Sequence, residues 1–185
     1  MNVAAVQLPA EADPEANRER AESRIRAAAA DGADLVVLPE MWPVGYFAFD
    51  AYRDAAESVP GPTTDRLAAL ADELSIHLHG GSLVERASDG DGTALYNTSV
   101  LFGPDGALLD TYRKIHLFGY DSEESNLLSP GDEPCAVETD LGTVGLTTCY
   151  DLRFPALYRS LVDAGVEVLL VTSAWPRERL DHWHL

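Results

Sequence analysis

Lysine is nearly absent from this chain: of 13 basic residues, twelve are arginine and the single lysine is Lys114. A chain that uses arginine for every other cationic task and keeps one compact ammonium points to chemistry there that a wide guanidinium cannot perform. Cations of either kind are scarce. They face 31 acidic residues, and the net charge of −18 argues against a nucleic-acid or anionic-membrane surface, so the expected partner is a small molecule. The acidic residues are spread along the chain instead of forming a tail. They read as a solvated surface suited to a high-salt, halophilic cytoplasm, where salt screens self-repulsion. A charged-then-apolar leader is missing, and no apolar run approaches the roughly 18 residues of a membrane helix, so a cytoplasmic protein is expected. The two cysteines, Cys135 and Cys149, are then expected as free thiols. HExxH and CxxC spacings are also missing. His77, His79, His182 and His184 with Asp181 therefore read as ordinary packing residues, and neither metal nor organic cofactor is expected.

What is present is enough apolar material for a sizeable core: 46% of 185 residues, read as a single domain over 1–185. Asn2 to Leu8 reads as a buried first strand. Asp13-Pro14 supplies an N-cap and N1 proline for a helix that Gly32 stops, with Ala21, Ile25 and Ala28 on its apolar face. Asp34–Leu38 is a short strand leading to Glu40 and Trp42-Pro43. The aromatic segment from Pro43 to Pro62 is too long for a plain connection and reads as a substrate-side loop, with Tyr46 and Phe47 as possible pocket walls. A second amphipathic helix runs through Leu67, Leu70, Ala71 and Leu74, and Ile76–Arg86 follows as a strand. Asp89–Gly92 is a turn. Strands at Leu95–Phe102 and Ala107–Arg113 pair across Gly103-Pro-Asp-Gly106, with Lys114 directly after them. The stretch Gly142 to Pro155 alternates as a buried strand, reaches Cys149 and turns toward a helix carrying Leu157 and Leu161. A thiol at the start of a helix is expected to have a lowered pKa. Helix, glycine, acidic residue, apolar strand and Trp-Pro recur at Gly32 to Pro43 and at Gly165 to Pro176. Two βαβ-like halves are implied, with Trp175 as another possible pocket wall.

Glu40, Lys114 and Cys149 each end an expected strand, so all three can meet at one sheet edge, where ligands of α/β proteins bind. Their chemistry is complementary: a thiolate attacks a carbonyl or nitrile carbon, a carboxylate takes and returns a proton, and an ammonium holds an oxyanion. Asp151 and Arg153 read as a structural pair fixing the turn after Cys149.

Through Leu38-Pro-Glu-Met41, Tyr112-Arg-Lys-Ile-His-Leu-Phe118 and Cys149-Tyr-Asp-Leu-Arg-Phe154, the chain resembles the nitrilase superfamily of carbon-nitrogen hydrolases, closest to its Nit and ω-amidase branch. The resemblance implies an α/β fold of the αββα sandwich type with mixed sheets, and hydrolysis of a small amide through a thioester. By it Glu40 is the general base, Lys114 the oxyanion stabiliser and Cys149 the nucleophile. Glu124 positions substrate or lysine, and the Tyr150 N–H is a second oxyanion donor. Members usually continue well beyond Asp181–Leu185, so the resemblance implies a chain lacking its C-terminal strands, and a homodimer when these are present. The alternative is an inactive fragment, or a binding or scaffold protein, of the same fold.

Overall fold

The computed structural model describes residues 1–182 apart from positions 12, 90, 91 and 121, and for Asp89, Arg179 and His182 the backbone alone. The turn expected at Asp89–Gly92 and the His182 and His184 side chains thus fall outside the described residues. In chain order the elements are β1 (Val3–Ala5), α1 (Pro14–Ala30), β2 (Leu35–Val37), α2 (Tyr52–Ala55), α3 (Pro62–Leu74) and β3 (His77–Asp89). After these come β4 (Gly92–Phe102), β5 (Leu108–Arg113), α4 (Glu124–Leu127), β6 (Cys135–Thr139), β7 (Gly142–Thr148), α5 (Pro155–Asp163) and β8 (Val168–Thr172).

One sheet has the order β1-β2-β3-β4-β5 and the other β6-β7-β8. Both are mixed. The first three strands run parallel, and β4 is antiparallel to both β3 and β5, so β5 points the same way as β2. The Gly103–Gly106 hairpin forms as expected, with Thr98 opposite Arg113 at the far end of its ladder. In the second sheet β7 and β8 are parallel and β6 antiparallel to β7. The first strand departs from expectation. It has three residues and is largely exposed, because it is an edge strand paired only to β2.

Helices α1 and α3 cover the outer face of the larger sheet. Asp13 caps α1 by accepting from the Glu15 and Ala16 N–H groups, and the buried Ala21 and Ile25 then meet Leu67, Leu70, Val36 and Leu78. Truncating Ile25 to alanine in such a setting costs about 2–5 kcal/mol. The two sheets pack through Leu35, Leu101 and Tyr112 on one side and Val137, Val144, Leu146 and Leu170 on the other. On the far face of the smaller sheet α5 buries Leu157 and Leu161, and the Tyr158 hydroxyl donates to Thr147 Oγ1 at 3.2 Å. The layering is α–β–β–α. Because β2, β5 and the β7-β8 pair each end at one rim, the residues that leave these strands converge there.

Candidate active site

Glu40 lies beyond β2 on a loop whose path is set by the neighbouring strand. The β3–β4 ladder has an irregularity between His79 and Ser82, where Gly81 adopts φ +63° and a Cβ would meet the Pro39 carbonyl oxygen at 2.1 Å. Only glycine fits that approach. Ser82 Oγ accepts the Met41 N–H at 3.0 Å, the Trp42 indole N–H donates to the Gly80 carbonyl at 2.8 Å, and Met41 takes φ +51°. Trp42 is therefore a core residue, unlike Trp175.

Lys114 comes directly after β5 and is buried, with its ammonium between two carboxylates. Nζ donates to Glu40 Oε1 at 2.8 Å and to both oxygens of Glu124 at 2.9 Å, and all three side chains are shielded from solvent. Burial pulls the lysine pKa down, but Glu40 and Glu124 outweigh it and the net shift is upward. The remaining carboxylate oxygen sites are also occupied. Asn97 Nδ2 donates to Glu40 Oε1 and Glu124 Oε1, each at 2.9 Å, and the Ala174 N–H donates to Glu40 Oε2 at 2.9 Å. The Phe118 N–H and the Tyr46 hydroxyl donate to Glu124 Oε2 at 2.7 and 3.1 Å. The carboxylates and the ammonium are thus held on several sides, and in this group only Asn97 Oδ1 is left without a partner.

Cys149 comes after β7 at φ +46°, a conformation that costs a non-glycine residue about 1–2 kcal/mol. The helix expected from Phe154 onward forms, but its first N–H groups do not reach the thiol. A 3-10 turn, Cys149–Arg153, intervenes and α5 begins only at Pro155. The expected lowering of the thiol pKa is overturned as well. Burial raises it, the Glu40 carboxylate facing the sulfur adds to this, and Lys114 only partly opposes them. Cys149 is thus a protonated thiol at rest, beside a carboxylate that can receive its proton.

The turn is tied to the Lys114 loop through Asp151. This buried carboxylate accepts from the Thr148 N–H (2.9 Å), the Tyr112 hydroxyl (2.8 Å) and the His116 N–H (3.0 Å), and lies 2.7 Å from His116 Nδ1. His116 stacks on Phe154 at 3.6 Å between centroids. Asp151 is structural, as expected, but its partners are Tyr112 and His116 and not Arg153. Arg153 instead lines a cavity of about 300 Å³ with Tyr46, Phe47, Phe118, Tyr150 and Trp175, and Cys149 lies in its wall. Tyr46, Phe47, Trp175 and Tyr150 line this cavity, and Glu124 lies behind it against the Tyr46 hydroxyl.

Two contributors were not anticipated. Asn97 and the peptide of Ala174 were overlooked, and the first had a signal: Asn97-Thr-Ser99 is a fully buried polar run inside an otherwise apolar strand. Among the described residues the histidines do not form a cluster. His77 Nε2 contacts Asp140 at 2.9 Å, and His79 is wholly buried, its Nδ1 accepting the Gly81 N–H at 3.2 Å. Among the described residues no helix is long and apolar enough to cross a membrane.

Comparison with known proteins agrees with this geometry. Residues 2–185 match the carbon-nitrogen hydrolase family. Similar proteins include a 2-oxoglutaramate amidase of Paenarthrobacter nicotinovorans, 41% identical over 155 residues that make up 82% of this chain and 53% of that protein. Omega-amidase NIT2 of Homo sapiens is 42% identical over 192 residues, covering 99% of this chain and 67% of the relative. This chain thus spans between about half and two thirds of those relatives. Among solved structures, Saccharomyces cerevisiae Nit3, a member of branch 10 of the nitrilase superfamily, superposes with a TM-score of 0.87 at 36% identity, over 99% of this chain and 68% of that one. By its matching residues, its fold and its relatives, the chain belongs to the carbon-nitrogen hydrolase family of the nitrilase superfamily.

Proposed function

We propose that this chain hydrolyses the carbon–nitrogen bond of a small amide that carries a carboxylate at its far end. The observation that carries the reading is the site itself: a strained cysteine facing a carboxylate and the chain's only lysine, in the wall of an aromatic cavity.

Cys149 attacks the amide carbon as its proton passes to Glu40, forming a tetrahedral intermediate whose oxyanion is held by Lys114 and the Tyr150 N–H. The intermediate collapses with cleavage of the C–N bond. Glu40 returns the proton to the departing nitrogen, ammonia leaves and a thioester remains. Glu40 then takes a proton from water, which attacks the thioester; the acid departs and the thiol is restored. Glu124 holds the Lys114 ammonium in place throughout and leaves Glu40 free to exchange protons.

The carboxylate preference rests on Arg153. Among the described residues it is the one cation lining a cavity whose other walls are mostly aromatic, and a guanidinium matches a carboxylate geometrically. Glu178 on the same lining sets a limit to the substrate's charge there. The relatives named omega-amidase and 2-oxoglutaramate amidase are consistent with an ω-amide of an oxo acid.

The test is ammonia release from 2-oxoglutaramate and from an uncharged amide of similar length. Wild type is expected to favour the acid, Cys149→Ala to release none, and Arg153→Leu to raise KM for the acid alone by about tenfold or more. Turnover by the Cys149→Ala variant would remove the nucleophile assignment. A chain that alkylates at Cys149 but turns over no amide would be a binding protein of the same fold.

A further inference from the structure

We propose that Ser173 is a further catalytic residue, whose hydroxyl donates a hydrogen bond to the Cys149 sulfur as the thiolate develops. The inference rests on the reading of Cys149 as nucleophile.

Its basis is register. Strands β7 and β8 run parallel with Thr148 opposite Thr172, so the residues that next leave the sheet, Cys149 and Ser173, do so side by side. Two of the hydroxyls around them are already committed, while Thr148 Oγ1, like Ser173 Oγ, is buried without a partner. Thr172 Oγ1 donates to the Leu38 carbonyl at 3.0 Å and Thr147 Oγ1 to the Leu170 carbonyl at 3.4 Å. Ser173 Oγ is buried and makes no hydrogen bond in the resting site. A buried donor left idle in so dense a polar network calls for an acceptor that arises later.

The sulfur is that acceptor. Leaving the sheet beside Cys149, the Ser173 hydroxyl favours the thiolate, even though no bond of ordinary geometry is formed to the thiol. A thiol accepts weakly, whereas a thiolate accepts as an ion does. The contact therefore strengthens as the proton moves to Glu40, which is the kind of interaction that speeds a reaction step without tightening substrate binding. The next peptide adds to the picture, since the Ala174 N–H donates to Glu40 Oε2. Two consecutive donors at the end of β8 thus serve the nucleophile and its base.

The other groups acting on the sulfur leave room for this donor. Glu40 from the β2 loop and burial favour the thiol, Lys114 from β5 favours the thiolate, and the Tyr158 hydroxyl interacts with it from α5. Lys114, held by Glu40 and Glu124, acts on the sulfur through its charge.

The experiment tracks iodoacetamide alkylation of Cys149 against pH, mapped by mass to separate it from Cys135, in wild type, Ser173→Ala and Ser173→Thr, with kcat and KM measured alongside. Loss of the hydroxyl is expected to slow alkylation at neutral pH about tenfold and to lower kcat about tenfold at unchanged KM, as for one donor aimed at developing charge. Ser173→Thr, which keeps the hydroxyl, should recover most of both. Ser173→Ala alkylating and turning over like wild type overturns the proposal, and so does a threonine variant as impaired as alanine, since side-chain volume would then explain the loss. If Cys149→Ala stays active, the nucleophile assignment fails instead. If wild type turns over no amide, the alkylation profiles still decide the role of Ser173.

Discussion

Replacing Lys114 by methionine keeps the length of the side chain and removes its charge, which leaves Glu40 and Glu124 facing one another across a solvent-free site. Three hydrogen bonds of 2.8 to 2.9 Å are lost at once. Removing one partner of a buried ion pair costs about 3–5 kcal/mol, and here the stranded partners are two. Asn97, Phe118, Ala174 and Tyr46 still donate to the carboxylates, which keeps the cost near that range instead of doubling it. At about 2–4 °C per kcal/mol for a chain of this size, melting should fall by roughly 10 °C or more. A double variant, Lys114→Met with Glu124→Gln, removes one of the stranded charges and should regain most of the stability but no activity. The pH dependence carries a sign. In wild type the folded lysine pKa is raised, so its contribution is fully present below the ordinary lysine range and is flat between pH 5 and 8. Urea unfolding of all three proteins at several pH values measures this. A single variant within about 1 kcal/mol of wild type would refute the view of Lys114 as the site's electrostatic keystone.

Asp151→Asn keeps the shape of the side chain but turns an amide toward donors on Tyr112, Thr148 and His116; a loss of about 2–4 kcal/mol and a fall in kcat beyond that of an equally destabilised core variant are expected. His79, held near a pKa of about 4 by burial, takes up its proton more readily when unfolded. Stability should therefore drop as pH falls from about 6.5 to 4, by at most roughly 3 kcal/mol from this residue, and His79→Gln should flatten that part of the acid limb. With a net charge of −18, the melting temperature should rise between low and molar salt; a salt-independent value would remove the halophilic reading.

The sequence showed the three side chains but not what fastens them. Glu40, Lys114 and Cys149 were legible because each follows closely on a strand, and strand ends are visible as breaks in apolar periodicity. The αββα layering came from the family motifs and is matched by the sheets and helices found. What stayed hidden was contact between residues distant in sequence. Asn97 touches carboxylates 57 and 27 residues away, and Asp151 binds residues 39 and 35 positions back; no local pattern encodes such pairings. Arg153 was misassigned for the same reason. Lying two residues from Asp151, it reads as its ion partner, yet the 3-10 turn aims it at the cavity.

The overturned expectation about Cys149 has the widest consequence. A helix N-terminus lowers a thiol pKa by presenting free N–H groups, but here the N–H just before the turn donates to Asp151 and the helix starts six residues after the cysteine. The cation beside the sulfur is meanwhile shared between two carboxylates, so the sulfur faces the Glu40 carboxylate and an ammonium whose charge is largely offset. Such a site does not hold a preformed thiolate. It holds a thiol whose proton has a receiver, and under the proposed mechanism nucleophile and base are activated in a single event when substrate arrives. Reactivity toward small alkylating agents should then be low in the free protein and should not predict the rate with a bound amide, whose oxyanion draws on Lys114 only as the sulfur attacks. The interactions that matter most are those idle at rest, which is why a spare hydroxyl at the end of β8 is informative.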